Sequence, residues 1–420
     1  MIKNTKFRKD VQKKLKFENR NDAFNKHCRK ISYRIKYLKY IMCACLVILV
    51  SGGFIFRAEE ITVENITHLL RYIDIVPVGR APAREFRIEA DENTVFAYYR
   101  NTIAVLRRNR LDIYDITGRR TASFPIAYSN PVINVSQRYI LIYDLGRNRL
   151  EIFNPVSRVF EYTGTGPIFG ARVTDRGFTV YITREPGYRS VVNILNRNFA
   201  PMYTVYRVRD FVVDADICEG ARYLLMAGFY TEGGDILTSI LLFRTDATEP
   251  VRDIKVRGEM PLMVKLNAAG FCVLLENSIR FYDMSGEETG RYGFSGSRIR
   301  AVELGRYYSA VILNERTIGN EVRILIFDAA GNIVCDHRVD MEITDIRFAE
   351  NYNYLYALTR RGIYKINIAE DTLELFIARI NARDGEYPEA NYDETARRII
   401  FANERNIILA GLSKINILEK

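Results

Sequence analysis

Tryptophan is absent, histidine occurs three times and cysteine six times in 420 residues, and no cysteine pair has the Cys-x-x-Cys spacing. Each shortage removes a class of chemistry. His27, His68 and His337 are too few and too scattered for a histidine-rich metal centre or a Ser-His-Asp triad, and His27 beside Cys28 has no further ligand nearby. Cys218, Cys272 and Cys335 stand far apart in apolar, strand-like patterns. They are expected to be small buried hydrophobes, not a disulfide framework or a zinc site. No cofactor is implied, no metal site is expected, and no catalytic residue can be nominated.

The chain also lacks a spread of positive charge. Its net charge is +10, but residues 1–40 hold fourteen Lys and Arg against Asp10, Glu18 and Asp22, a local +11, so the other 380 residues carry −1. Nucleic-acid binding needs a clustered basic face on the folded domain, and a basic tail does not supply one. Nucleic acid is therefore not an expected partner.

What the sequence does have is one long uncharged run, Tyr40 to Phe56, YIMCACLVILVSGGFIF. As a helix its 17 residues span about 25 Å, and Tyr37 and Leu38 extend it toward the roughly 30 Å of a hydrocarbon core. Arg29, Lys30, Arg34, Lys36 and Lys39 precede it; Glu59, Glu60 and Glu64 follow. This asymmetry predicts a single-pass transmembrane helix over 37–57, with a cytoplasmic amino terminus and the rest of the chain outside the cell membrane. The segment before the run is too long for a signal-peptide n-region, and Phe56-Arg57-Ala58 is a poor cleavage site. Residues 1–36 then form a basic cytoplasmic tail, either a topology determinant or a docking arm. Residues 58–84 form a linker, in which Ile66, Leu69, Leu70 and Ile73 have the spacing of a short amphipathic helix before Pro77, Gly79 and Pro82 break the pattern.

From residue 85 onward the pattern is all-β. Short runs with apolar period two alternate with Gly, Asn and Asp turns. One unit recurs, most visibly in segments such as LDIYDI, LEIFNP, IRFYDM and ILIFDA. Their aligned apolar residues are Tyr114, Phe153, Leu195, Phe243, Tyr282, Phe327, Ile366 and Leu418, at intervals of 39, 42, 48, 39, 45, 39 and 52. Units of this length with four strands each are propeller blades. The turns Asp115 to Gly118, Asp283 to Gly286 and Asp328 to Gly331 read as hairpin turns closed by an Asp side chain, not as calcium loops. A second turn class, including Asp175-Arg176-Gly177 and Glu219-Gly220, joins first to second strands. The last unit has three strands, and Glu85 to Glu89 is expected to complete it. That gives eight four-stranded blades over 85–420; seven blades with an extra hairpin is the alternative.

The missing tryptophan separates these blades from the WD-repeat sequence signature, and only one Gly-Gly pair, Gly233-Gly234, follows the apolar run, which separates them from kelch blades. The repeated Tyr/Phe-Asp-x-x-Gly turn behind one amino-terminal apolar run resembles an uncharacterised family of Gram-positive bacterial membrane proteins with an extracytoplasmic propeller-like domain. The resemblance covers residues 35–420. It implies location and architecture and assigns no catalytic residue.

The first strands of the blades carry Arg172, Asp214, Asp216, Lys265, Arg300, Glu303, Asp345 and Arg347. Asp214 with Asp216, and Asp345 with Arg347, share a strand face by their spacing of two. In a propeller these side chains line the central channel. They are either walls of mixed charge that neutralise one another, or a small-ligand or ion site. Taken together, these features predict a non-catalytic interaction or scaffold module with a protein or envelope partner. An envelope enzyme or ligand sensor using the channel carboxylates is the alternative.

Overall fold

A computed structural model describes residues 39–41, 44, 85–88, 90–91, 93–154, 157–315, 319–379, 389–390, 396–404, 406–411 and 414–419. The chain divides into two compact units, Met1–Pro77 and Val78–Lys420. In the first unit only residues 39–41 and 44 are described, and they are helical. Among the described residues no helix is long and apolar enough to cross a membrane. This corrects the expected single-pass helix over 37–57, and with it the membrane anchoring, the cytoplasmic amino terminus and the cell-membrane localisation. The uncharged run, 17 residues long, sits at the lower limit of the roughly 17–25 apolar residues a crossing needs. The rest of that run, the basic tail and the short helix expected in the linker lie outside the described residues.

The second unit is a propeller of eight antiparallel blades among the described residues. Blade 1 is made of Val95–Tyr99, Thr102–Leu106, Arg110–Asp115 and Arg120–Pro125, paired in that order. Blades 2 to 7 repeat the order, and in blade 7 the two-residue strand Glu389–Ala390 adds in parallel to Thr372–Arg379. Blade 8 takes three strands from the end of the chain, Arg398–Ala402, Asn406–Ala410 and Lys414–Glu419, and its fourth from the beginning, Glu85–Arg87. Glu85 pairs with Asn416, Phe86 with Ile415 and Arg87 with Lys414. Eight blades with this closure are the arrangement read from the sequence; the seven-blade alternative is excluded.

All eight aligned apolar residues, Tyr114 through Leu418, fall on third strands. Six of them, Tyr114 to Phe327, also mark a register irregularity against the fourth strand. The bulge follows from the turn. Asp115 Oδ1 accepts the Thr117 and Arg119 N–H groups, each at 3.0 Å, while Gly118 takes φ 83°. Asp283 and Asp328 close their turns in the same way, with Gly286 at φ 83° and Gly331 at φ 95°. The carboxylates of these turns are occupied by backbone N–H groups, as hairpin chemistry requires.

The alternating pattern holds less well in the middle of each blade. Ile140–Asp144 and Gly270–Leu275 are buried at every position, because both faces of a blade pack against neighbours. The solvent-facing outer strands Arg120–Pro125 and Arg158–Thr163 do alternate. Accordingly the core is not one cluster. Eight hydrophobic clusters among the described residues sit one at each blade junction, from Ala97, Leu106 and Ile142 between blades 1 and 2 to Ile103, Val105, Ile408 and Ile417 between blades 8 and 1.

The closing strand is held from both sides. Lys414 Nζ lies 3.3 Å from Glu85 Oε2, and the Phe86 ring stacks on Tyr114 of blade 1 with centroids 6.1 Å apart. A Cβ on Gly118 would stand 2.7 Å from Phe86 Cβ, whereas one on Gly146, also at positive φ, would meet nothing within 4 Å. Gly146→Ala should therefore cost only the left-handed backbone penalty, about 1–2 kcal/mol, while Gly118→Ala should cost more because it also displaces the closing strand. Chemical denaturation of the two variants checks this; equal losses would mean that the Gly118 to Phe86 contact does not hold the ring.

Candidate functional site

Among the described residues, at seven of the eight blade junctions the first strands of neighbouring blades touch one another. Each is the inner edge of its sheet, paired on one side only, so alternate N–H and C=O groups face the next blade without a ladder partner. The side chains nominated from the sequence meet this need.

Arg172, Asp214, Asp216 and Lys265 form one cluster across blades 3, 4 and 5. Arg172 Nη2 is 2.5 Å from Asp214 Oδ2, Arg172 Nη1 is 3.3 Å from Asp216 Oδ1, and Lys265 Nζ is 3.2 Å from Asp216 Oδ2. Both carboxylates also accept backbone donors of blade 5: Val264 N–H to Asp214 and Leu266 N–H to Asp216, each at 2.9 Å. Arg172 in turn donates to Val264 O at 3.2 Å.

A second cluster joins blades 6, 7 and 8. Glu303 Oε2 accepts the Phe348 N–H at 2.8 Å, and Glu303 Oε1 lies 3.4 Å from Arg347 Nη1. Asp345 Oδ2 accepts the Ile399 N–H at 2.8 Å, and Arg347 donates to Ile400 O at 3.4 Å. Arg300 stands apart from both clusters, donating to Ile343 O at 2.9 Å with Glu342 at 3.8 Å. An uncharged member, Asn134, had not been singled out: its Oδ1 accepts the Val173 N–H at 3.0 Å, tying blade 2 to blade 3.

The same side chains thus sit beside opposite charges and satisfy the edge of the adjoining blade, leaving these carboxylates committed to neighbours. Burial pushes the Asp214, Asp345 and Glu303 carboxyls upward, Glu303 to about 7, against the opposing pull of Arg172, the Ile399 N–H and Arg347 respectively. Cys272 is fully buried nearby, and its thiol is pushed up to about 12 by burial; it is inert. Cys335 is likewise buried, whereas Cys218 is only half-buried.

Further buried carboxylates went unread in the sequence. Asp112, on the third strand of blade 1, is fully buried and is met by Arg107, by Arg110 Nε at 2.8 Å and by Ser123 Oγ at 2.7 Å. Glu151 of blade 2 is equally buried between Arg149, Arg158 and the Tyr128 hydroxyl. Burial, followed by Glu151, pushes the Tyr128 phenol upward. Asp210 repeats the theme with Arg207 and Ser239, and Glu259 with Arg280 and Ser278. For Asp112 and Glu151 the signal was a lone charge inside an apolar third strand, as in LDIYD and LEIF, which alternation alone assigns to a wet face; Asp210 and Glu259 lie in loops outside the strands.

Fold and site define an eight-bladed propeller whose channel charges staple blade to blade. The chain belongs to DUF5711, a family of unknown function whose pattern matches residues 83–374. No curated protein matches it in sequence. Among solved structures it is similar to the C-terminal WD40 domain of Sif2, with a TM-score of 0.54 and 12% identity over 81% of this chain and 99% of that one. It is also similar to the Cps50 (Swd1) propeller of Myceliophteria thermophila, with a TM-score of 0.46 and 13% identity over 80% and 99% of the two chains. The likeness to Sif2 is one of fold alone. The blade architecture is therefore shared with a WD40 domain, although the tryptophan of that sequence signature is missing.

Two outcomes test the stapling. Asp214→Ala, which leaves Arg172 short of a partner and the Val264 N–H without an acceptor, should lower stability by about 2–4 kcal/mol. For Glu303 the folded value of about 7 lies above the ordinary 4.5, so its stabilising contribution is complete below pH about 4.5 and is lost as pH rises through about 7. Unfolding free energies of wild type and Glu303→Gln across that window should show a falling component in wild type that the variant lacks. Parallel pH profiles would contradict the assignment.

Proposed function

We propose that the chain is a non-catalytic, protein-binding propeller that uses the face where first strands begin and second strands turn into third strands. The observation that carries this reading is a concentration of exposed apolar side chains there, over blades 2 to 5. Phe169 is 42% exposed, Leu262 40%, Tyr206 51% and Val208 68%. Leu145 and Phe211 extend the group. Leu145 bridges to Ile168 at the start of the blade 3 inner strand, Tyr188 packs on Tyr206 with centroids 4.7 Å apart, and Arg189 lies 4.9 Å over the Phe211 ring. Arg209 covers Tyr230 at 3.6 Å. Exposed apolar groups scattered singly need no explanation; a set gathered on one face and accompanied by arginine and tyrosine has the composition of a protein-binding surface. The commitment of the channel carboxylates to structural partners supports the same reading, since it leaves them little freedom for catalysis.

A photo-crosslinking amino acid introduced at Phe169, Tyr206 or Leu262, and at Asn198 in a turn between third and fourth strands, tests the proposal in the producing cell. Discrete protein adducts from the first three positions and none from Asn198 are expected. Adducts from Asn198 alone, or from none of the four, would overturn it.

A further inference from the structure

Three donor side chains that neither the channel nor the apolar face uses converge where the outer strand of blade 6 meets blade 7. Cys335 and His337 are two apart on Ile333–Asp340 and so share a face. Asp371 belongs to the turn between Gly362–Asn367 and Thr372–Arg379 of blade 7, where Asn367 Oδ1 accepts the Ala369 N–H at 3.1 Å and Asp371 itself takes φ 51°. Aspartate tolerates that conformation better than most residues, and here it turns the side chain toward blade 6. One ligand atom from each of Cys335, His337 and Asp371 lies within 4.8 Å of the others.

The histidine is poorly satisfied within the protein. His337 Nε2 is 2.9 Å from Asp371 Oδ1, but the approach lacks hydrogen-bond alignment, and this buried nitrogen has no hydrogen-bond partner. Cys335 Sγ lies 3.8 Å from Ile368 O and also faces the Asp371 carboxylate. One ligand atom of each side chain is thus placed as if around a common point. A tetrahedral ion with bonds of about 2.0–2.3 Å holds its ligand atoms roughly 3.3–3.8 Å apart, so the His337 to Asp371 approach of 2.9 Å would open slightly, and the wider separations, none above 4.8 Å, would close by about 1 Å at most.

We propose that Cys335, His337 and Asp371 bind a divalent transition ion of the zinc class, leaving a fourth position on the solvent side. The donor set is specific to this class: calcium and magnesium take oxygen, whereas thiolate with imidazole selects borderline-soft ions. Binding replaces the Cys335 S–H bond by a sulfur–metal bond and releases the proton to solvent. Burial, aided by Asp371, pushes the free thiol up to about 12, so metal uptake must drive that release and affinity must fall as the solution is acidified.

The test uses cobalt(II) as the probe on the full chain, with zinc competition. Wild type should give sulfur-to-cobalt charge-transfer absorption and the intense d–d bands of a four-coordinate site, abolished by zinc. Cys335→Ser and His337→Gln should lose the charge-transfer band, and Asp371→Asn should weaken it. Because Cys335 is in the core, metal-free melting temperatures of all variants are measured alongside; if Cys335→Ser does not fold, the surface-side His337→Gln decides. Zinc should also raise the melting temperature of wild type and not of His337→Gln. Absence of the charge-transfer band in wild type, or its persistence in a folded His337→Gln variant, as binding through His27 and Cys28 would produce, overturns the proposal.

Discussion

The pairing of Glu85–Arg87 with the third strand of blade 8 is the contact on which the rest of the propeller depends. Each blade buries apolar side chains on both faces, so no blade has a finished surface of its own, and stability resides in junctions. An open ring would leave two such faces wet. Closing it with a strand from the opposite end of the chain joins blade 8 to blade 1 through Phe86, Tyr114 and the cluster around Ile103 and Ile417. The cost is ordering a contact between residues more than three hundred positions apart, as in Lys414 with Glu85 at a separation of 329.

Closure brings the inner strands edge to edge and creates a second demand, because their outward N–H groups are then shielded from bulk water. Asn134, Asp214, Asp216, Glu303 and Asp345 each reach across a junction to a backbone donor of the following blade. Charges that look like a binding site when read along the chain thus serve the backbone, and arginines complete the arrangement by neutralising them. The proposed binding roles accordingly rest on surfaces the ring does not consume: the apolar face over blades 2 to 5 and the donor triad at the junction of blades 6 and 7. A propeller supplies the platform, and side chains on these surfaces decide what it holds.

Much of the architecture was legible because blade repeats leave marks at fixed places. The residues from Tyr114 to Leu418 recur where the third strand must pack, and Asp with Gly recurs where the hairpin must turn. A charge on the first strand of a blade was expected to line the channel, and the structure shows several of these side chains reaching the adjoining blade. Their partners could not be located, because each acceptor meets an N–H 39 to 54 residues downstream whose position depends on the register and bulge of another blade. Asp112 and Glu151 were missed for a related reason: two-residue alternation assumes one wet face, and the middle strands have none. The triad of Cys335, His337 and Asp371 was dispersed in the sequence and is assembled by a turn of blade 7. The uncharged run near the amino terminus was read as a membrane crossing, whereas among the described residues no helix is long and apolar enough to be one.

The central claim is that channel side chains hold the edges of adjoining blades, and amide hydrogen exchange reads this most directly. The N–H groups of Val264, Leu266, Phe348 and Ile399 have no ladder partner and should nevertheless exchange as slowly as amides within the blades. The slowing at Val264 should be lost first when Asp214 is replaced. If all four exchange at the rate of open strand edges in the wild-type protein, the carboxylates are not staples and the channel returns as the leading candidate for a ligand site.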